Sequence, residues 1–244
     1  MKGNHMRKKQ GIYQIEDLKL ENDQLLLNET LFHNANGYIG IRSVFEEGYP
    51  KGYQSIRGQY INGFYDYSIM NQAETLYGLT KEKQTMLNVA DTQSIKVYFD
   101  GEEFSMFRGT VLESQRWLDM DKGITGRNIV WRSPTGKEVE ITIKRMTSFT
   151  QLPLFTIEYI VKPLNFSGDV MIESNHNGNV LNYVNPRDPR TADEGERYLT
   201  PESCEITEGA SYITSHTSRS QLEVCSCVQN ILFQNHDRHF IVED

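Results

Sequence analysis

Alternation of apolar and polar side chains is the feature that most restricts this chain. Between residues 138 and 144, Val139, Ile141 and Ile143 take turns with Glu140, Thr142 and Lys144. A period of two sends successive side chains to opposite faces of an extended strand and cannot produce the stripe a packed helix needs. Ser133-Pro134-Thr135-Gly136 supplies turn chemistry just before it, and 128–132 reads as a second strand ending in Trp131 and Arg132, so the pair is a hairpin. A strand over 111–120, followed by the turn Asp121-Lys122-Gly123, makes three consecutive antiparallel strands, a meander.

The pattern recurs. Ile95, Val97 and Phe99 alternate up to an Asp100-Gly101 turn, and Phe155, Ile157, Tyr159 and Val161 alternate up to Pro163. Segments 169–173, 210–214, 221–228 and 239–242 continue it at intervals typical of β-sandwiches. Helix is scarce: 80–88 has room for one or two turns, and no stretch sustains an apolar stripe. Two long stretches, 49–78 and 175–202, read as strand-poor loops. The expectation is an all-β fold, one large twisted β-sandwich with few short helices, with residues 1–12 a flexible segment and 13–244 the domain.

Composition narrows the function classes. The chain is 38% hydrophobic and 24% charged, with a formal net charge of −8, which works against binding a phosphate backbone, so no nucleic-acid partner is expected. No window approaches the roughly 18 uninterrupted apolar residues of a membrane helix, so no membrane partner is expected either. The basic start (Lys2, Arg7, Lys8, Lys9) is not followed by an apolar run, and no secretory signal is read. Three cysteines, Cys204, Cys225 and Cys227, are too few and odd in number for a disulfide framework. A reduced, cytoplasmic protein is the reading.

Bond cleavage by paired carboxylates needs an acid to protonate the leaving atom and a nucleophile or activated water opposite. The adjacent pairs Glu46-Glu47 and Glu102-Glu103 are the obvious carboxylates. Neighbours on a strand point to opposite faces, so a structural or solvated role is expected for both pairs. Asp119 and Asp121 flank a turn and are read as turn caps. The stretch Asn36-Gly37-Tyr38-Ile39-Gly40 lacks the spacing and strand-helix context of a phosphate loop. Cys225 and Cys227 share a strand face, but with His236 and His239 they lack structural-metal spacing, and no metal is expected. Tyr38, Phe45, Tyr49, Tyr53, Tyr60, Phe64, Tyr65 and Tyr67 form an aromatic cluster that can stack on the apolar face of a ligand ring, although core packing is the commoner use.

Glu29, Asn36-Gly37-Tyr38, Gly40, Arg42, Glu46-Glu47-Gly48 and the run Tyr60-Ile61-Asn62-Gly63-Phe64-Tyr65-Asp66 stand in an order that resembles the opening of family 65 glycoside hydrolases and phosphorylases. Downstream, Gln115-Arg116-Trp117-Leu118-Asp119-Met120 with Gly123, then 131–136, 145–148, 174–182 and Asp188-Pro189-Arg190 extend the resemblance over about residues 15–235. It implies an amino-terminal β-supersandwich, of the galactose mutarotase-like kind. In complete enzymes this precedes a helical linker, an (α/α)6 barrel and a small carboxy-terminal β domain. It also implies a parent enzyme that phosphorolyses or hydrolyses α-glucosidic disaccharides. Its catalytic acid and phosphate groups lie in the barrel, so no residue here is assigned a catalytic role and the chain alone is expected to be inactive.

The partners implied are the barrel, an α-linked glucose disaccharide and, in the full-length enzyme, a second copy. There is no cofactor, and inorganic phosphate is the co-substrate if the parent is a phosphorylase. Within 36–42 and 60–66, planar hydrogen-bonding groups alternate with glycines and tyrosines. Asn36, Tyr38, Arg42, Tyr60, Asn62, Tyr65 and Asp66 are therefore the candidates for a domain interface or substrate mouth, with Arg42 and Asp66 shaping loops through charge-assisted hydrogen bonds. Two other classes stay open: a stand-alone carbohydrate-binding module, and an aldose mutarotase-like enzyme using a carboxylate base and a histidine acid.

Overall fold

The computed structural model describes residues 7–9, 11–69, 81–183, 197–207, 209–234 and 237–239. The expectations for 188–190, for His236 and for 240–242 lie outside them. In chain order the elements begin with β1 (Arg7–Lys9), β2 (Ile12–Glu16), helix α1 (Asn22–Leu31), β3 (Asn34–Ala35), β4 (Ile39–Ile41), β5 (Gln59–Ile69) and β6 (Glu82–Asn88). There follow β7 (Asp91–Phe99), β8 (Glu102–Glu103), β9 (Thr110–Asp119), β10 (Ile124–Arg132), β11 (Glu138–Thr147), β12 (Phe155–Pro163) and β13 (Val170–Asn177). The last are β14 (Leu199–Thr207), β15 (Ala210–Thr217), β16 (Glu223–Gln229), β17 (Leu232–Gln234) and β18 (Asp237–His239). The fold is all-β, with one α-helix among the described residues. That helix is not long and apolar enough to cross a membrane.

Two compact units are present: Met1–Arg57 with Gln93–Asn175, and Gly58–Thr92 with His176–Asp244. The first is built on an antiparallel sheet of order β1-β2-β9-β10-β11-β12. Its centre is the expected meander, in register at Ile129↔Ile141 and Trp131↔Val139. The turn between β10 and β11 closes through Gly136 N–H to Ser133 O, 3.0 Å, with Gly136 at φ +95°. Asp119 Oδ1 accepts from the N–H groups of Asp121 and Lys122, the turn-capping use expected of it. A second sheet, β13-β7-β8, turns at Asp100 and Gly101, both at positive φ.

The core of this unit gathers Val97 and Phe99 from one sheet with Ile129, Trp131, Val139, Ile141 and Ile143 from the other. Each aliphatic side chain so buried stabilises by about 1.5–3 kcal/mol. The Trp131 indole N–H donates to Arg108 O at 2.6 Å, which satisfies its one polar atom.

Helix α1 was not foreseen. Its inward residues are Leu25, Asn28 and Glu29, while Leu27 and Leu31 stay exposed, so the buried stripe is mostly polar and gives no apolar signal. Glu29 is tolerated inside because its Oε2 accepts from the Ile56 N–H at 3.1 Å and from Arg42 Nε at 3.5 Å.

In the second unit β5 pairs antiparallel with β6, and β14-β15-β16 form a three-stranded sheet. Phe64, Leu87, Val89, Tyr198 and Leu199 form its core. Two expectations are corrected here. Residues 82–88 of the 80–88 segment are strand β6, not helix, because their backbone bonds are completed by β5, with Tyr65 opposite Met86. Within 49–78, read as strand-poor, β5 is a strand of 11 residues, whereas of β14 only the first residues fall in 175–202, at its end. A register shift between Tyr60 and Tyr65, with Gly63 at φ +80°, breaks the alternation that would have revealed β5.

Candidate functional site

Three inward positions on neighbouring strands of the large sheet carry arginine: Arg116 on β9, Arg127 on β10 and Arg145 on β11, all at most 3% exposed. Arg116 and Arg127 stand directly opposite each other, an arrangement that repels unless compensated. Compensation comes from the turn at residues 43–48. Arg127 grips Glu47 through two bonds, Nη1 to Oε1 at 3.1 Å and Nη2 to Oε2 at 2.6 Å, and also bonds Glu46. Arg145 Nε lies 2.5 Å from Glu46 Oε1, while its Nη1 and Nη2 donate to Gln93 Oε1 and Val44 O. Arg116 donates to the carbonyl and hydroxyl of Ser43. Phe45 lies under the Arg127 and Arg116 guanidiniums, 4.1 and 5.5 Å from its ring centre.

Burial by itself would raise the Glu46 pKa, but Arg145 and Arg127 overcome it and hold the carboxyl at about 2. Burial lowers Arg116 to about 10. Burial also opposes the charge on Arg127, but the two glutamates outweigh it and push its pKa up. The Tyr159 phenol is driven well above its ordinary value, first by burial and then by Glu47.

Glu46 and Glu47 do converge on one group, contrary to the opposite-faces argument. They occupy a turn, not a strand, and the group they meet is a guanidinium. Both carboxylates are engaged in buried ion pairs. Such a buried cluster adds little net stability over apolar packing, because each ion gives up several kcal/mol of hydration. What it fixes is geometry, pinning each of residues 43–47. The sequence signal for the arginines was their phase: Arg127 precedes Ile129 and Trp131, and Arg145 follows Val139, Ile141 and Ile143, in one inward register.

Of the seven candidate residues, Asn36, Tyr38 and Arg42 belong to the first unit and Tyr60, Asn62, Tyr65 and Asp66 to the second. Asn36 serves both sides of its turn: Nδ2 donates to Ser148 O and Leu152 O at 2.6 and 2.8 Å, and Oδ1 accepts from the Tyr38 and Ile39 N–H groups. Tyr38 is exposed. Arg42 Nη2 donates to Leu26 O and Thr30 Oγ1, placing its charge at the negative, carboxy-terminal half of α1.

Tyr60 and Asn62 lie in the irregular part of β5. Tyr65 and Tyr67 meet edge to face at 5.5 Å with their hydroxyls 3.4 Å apart. Asp66 is fully buried. Its Oδ1 accepts from the N–H groups of Tyr67, Arg219 and Ser220, at 2.9, 3.2 and 2.7 Å, and Oδ2 accepts from Arg219 N–H at 3.1 Å. Ser220 Oγ donates to Tyr65 O, and Arg219 Nη1 to Tyr67 O, completing a clamp on the turn between β15 and β16.

The cysteines are free and exposed, and among the described residues no cluster of three or more His, Cys, Asp or Glu is placed to hold a metal. His176 bridges Ser211 Oγ and Ser226 Oγ at 2.9 and 3.0 Å, and burial lowers its pKa.

The class the structure defines is an antiparallel all-β domain whose buried ionic groups grip its own turns. The particular family follows from comparison: the chain belongs to glycosyl hydrolase family 65, whose N-terminal domain model matches residues 15–244. It is 42% identical over 227 residues to the alpha,alpha-trehalose phosphorylase of Geobacillus stearothermophilus, covering 91% of this chain and 30% of that protein. To the alpha,alpha-trehalose phosphorylase of Thermoanaerobacter brockii it is 39% identical over 232 residues, 92% of this chain and 30% of that one. The kojibiose phosphorylase of Halothermothrix orenii is 30% identical over 190 residues, covering 76% of this chain and 23% of that protein. The chain thus spans under a third of the length of these relatives. A solved human-microbiome protein provisionally named a kojibiose phosphorylase superposes with a TM-score of 0.74 over 91% of this chain and 28% of that one, at 18% identity, a likeness of fold alone.

Proposed function

We propose that this chain is the amino-terminal domain of a disaccharide phosphorylase that cleaves α,α-trehalose with inorganic phosphate, and that it acts as a brace for the catalytic part. The observation that carries the substrate is the 42% and 39% identity to two trehalose phosphorylases, against 30–36% for the kojibiose phosphorylases. The brace role is supported by how thoroughly the turns are tied down: the 43–47 turn by three arginines, the 36–39 turn by Asn36, and the 218–221 turn by Asp66. A rigid loop can position a neighbouring group, and misplacement by about 1 Å can cost on the order of a hundredfold in rate. Tyr38, Tyr60, Asn62 and Tyr65 are the side chains this reading offers to the catalytic domain or to the substrate mouth.

The test is a chimera in which this chain replaces the matching segment of the Geobacillus stearothermophilus enzyme. Phosphate-dependent release of glucose 1-phosphate from trehalose is expected, with little from kojibiose or maltose, and none from the 244-residue chain by itself. In the chimera, Arg42→Ala and Asp66→Ala are expected to lower kcat/KM by about tenfold or more. Unchanged efficiency in both variants sinks the brace, and a preference for kojibiose sinks the substrate.

A further inference from the structure

The outer face of the large sheet carries two kinds of surface. Over β11 and β12 it is a ladder of opposite charges, with Lys144 Nζ 2.7 Å from Glu158 and Lys162 Nζ 3.4 Å from Glu140, the ordinary dress of a solvated strand face. Over β2, β9 and β10 it is a half-buried tryptophan among amides. Trp117 stands opposite Gln14 on one side and Gly126 on the other. A Cβ on Gly126 would come within 2.5 Å of Trp117 Cζ2 and 2.7 Å of Cε2, so the indole rests against the glycine backbone. Trp117 Nε1 donates to Asn128 Oδ1 at 3.5 Å, and Asn128 Nδ2 donates to Gln115 Oε1 at 3.2 Å. Gln14 Nε2 donates to Glu16 at 3.2 Å.

An indole over a cross-strand glycine stabilises a sheet by itself, but this one also stands among the side-chain amides of Gln14, Gln115 and Asn128 on a solvent-facing surface. We propose that Trp117, with Gln14, Gln115 and Asn128, is a binding platform for one hexopyranose ring of a neutral oligosaccharide. The apolar C–H face of such a ring stacks on an indole, and its hydroxyls are met by side-chain amides, each of which donates and accepts. The net charge of −8 opposes a phosphate ligand. On the β10–β12 side Met146 and Ile160 also face outward and exposed, so a second copy of the chain is the alternative occupant that the titration separates. This inference does not depend on which disaccharide the parent enzyme cleaves.

The chain has two tryptophans, and Trp131 is fully buried in the core, so an emission change on adding sugar reports Trp117. Titrating the 244-residue chain with maltohexaose and, separately, cellohexaose to about 10 mM is expected to give a saturable change with a millimolar Kd for at least one of them. Asn128→Ala keeps the fluorophore and alters only an exposed side chain. It is expected to weaken Kd about threefold to tenfold, and Trp117→Ala, followed by calorimetry, by more than about tenfold. Three results overturn the proposal: no response to either sugar, a Kd unchanged in both variants, or a response that follows protein concentration in place of sugar and so marks self-association.

Discussion

Replacing Asp66 by alanine tests whether the turn between β15 and β16 is held from inside the domain. The carboxylate is fully buried and receives three backbone N–H groups, from Tyr67, Arg219 and Ser220. Bonds to a charged acceptor are worth about 1.5–3 kcal/mol each, and Arg219 lies at an exposed turn where water can replace part of what is lost. A destabilisation of about 3–5 kcal/mol follows, or roughly 10 °C in Tm for a protein of this size. Asparagine should be milder, about 1–2 kcal/mol. All three donors reach Oδ1, which an amide oxygen replaces, and only the Arg219 N–H bond to Oδ2 meets a donor instead. Urea unfolding followed by circular dichroism measures the difference, and amide hydrogen exchange at Arg219 and Ser220 should quicken in the alanine variant. An alanine variant within about 0.5 kcal/mol of the parent, with unchanged exchange at those amides, would refute the clamp.

The remaining predictions concern the interior and the thiols. Glu46 is held at about 2 against an ordinary 4.5. The unfolded chain therefore takes up the proton first as pH falls, and the stability Glu46 contributes is complete above 4.5 and lost on the way down to about 2. Urea midpoints should drop over that window, and less steeply in Glu46→Gln, which at neutral pH is expected to cost about 3–5 kcal/mol by leaving Arg145 without its carboxylate while Arg127 keeps Glu47. A parallel pH slope in the two proteins would contradict the assignment. Gly109→Ala should destabilise by at least about 2 kcal/mol more than Gly37→Ala in the same urea assay. Both sit at positive φ, but a Cβ on Gly109 meets Arg132 O at 2.5 Å, whereas Gly37 faces open space. Cys204, Cys225 and Cys227 should all react with Ellman's reagent in the folded protein, and a smaller count of thiols would show that one is covered.

Strand content was legible because alternation is a local property. Val139, Ile141 and Ile143 declare β11 without reference to any other segment, and the Asp100-Gly101 and 133–136 turns place the chain reversals by backbone preference alone. Where local signals were missing, reading failed. Helix α1 buries Asn28 and Glu29, β5 is interrupted at Gly63, and β6 alternates too weakly to be told from a helical turn until β5 pairs with it. The seven candidate residues were visible as a dense run of planar polar groups, but not what they bond. Asp66 meets residues more than 150 positions away. Arg127 and Arg145 could be phased inward from sequence, whereas the acids and the Val44 carbonyl that make their burial tolerable lie 80 to 101 residues earlier in the chain. A buried charge is stable only where an opposite charge reaches it, and that pairing is set by how distant segments pack, not by the order of residues along a strand.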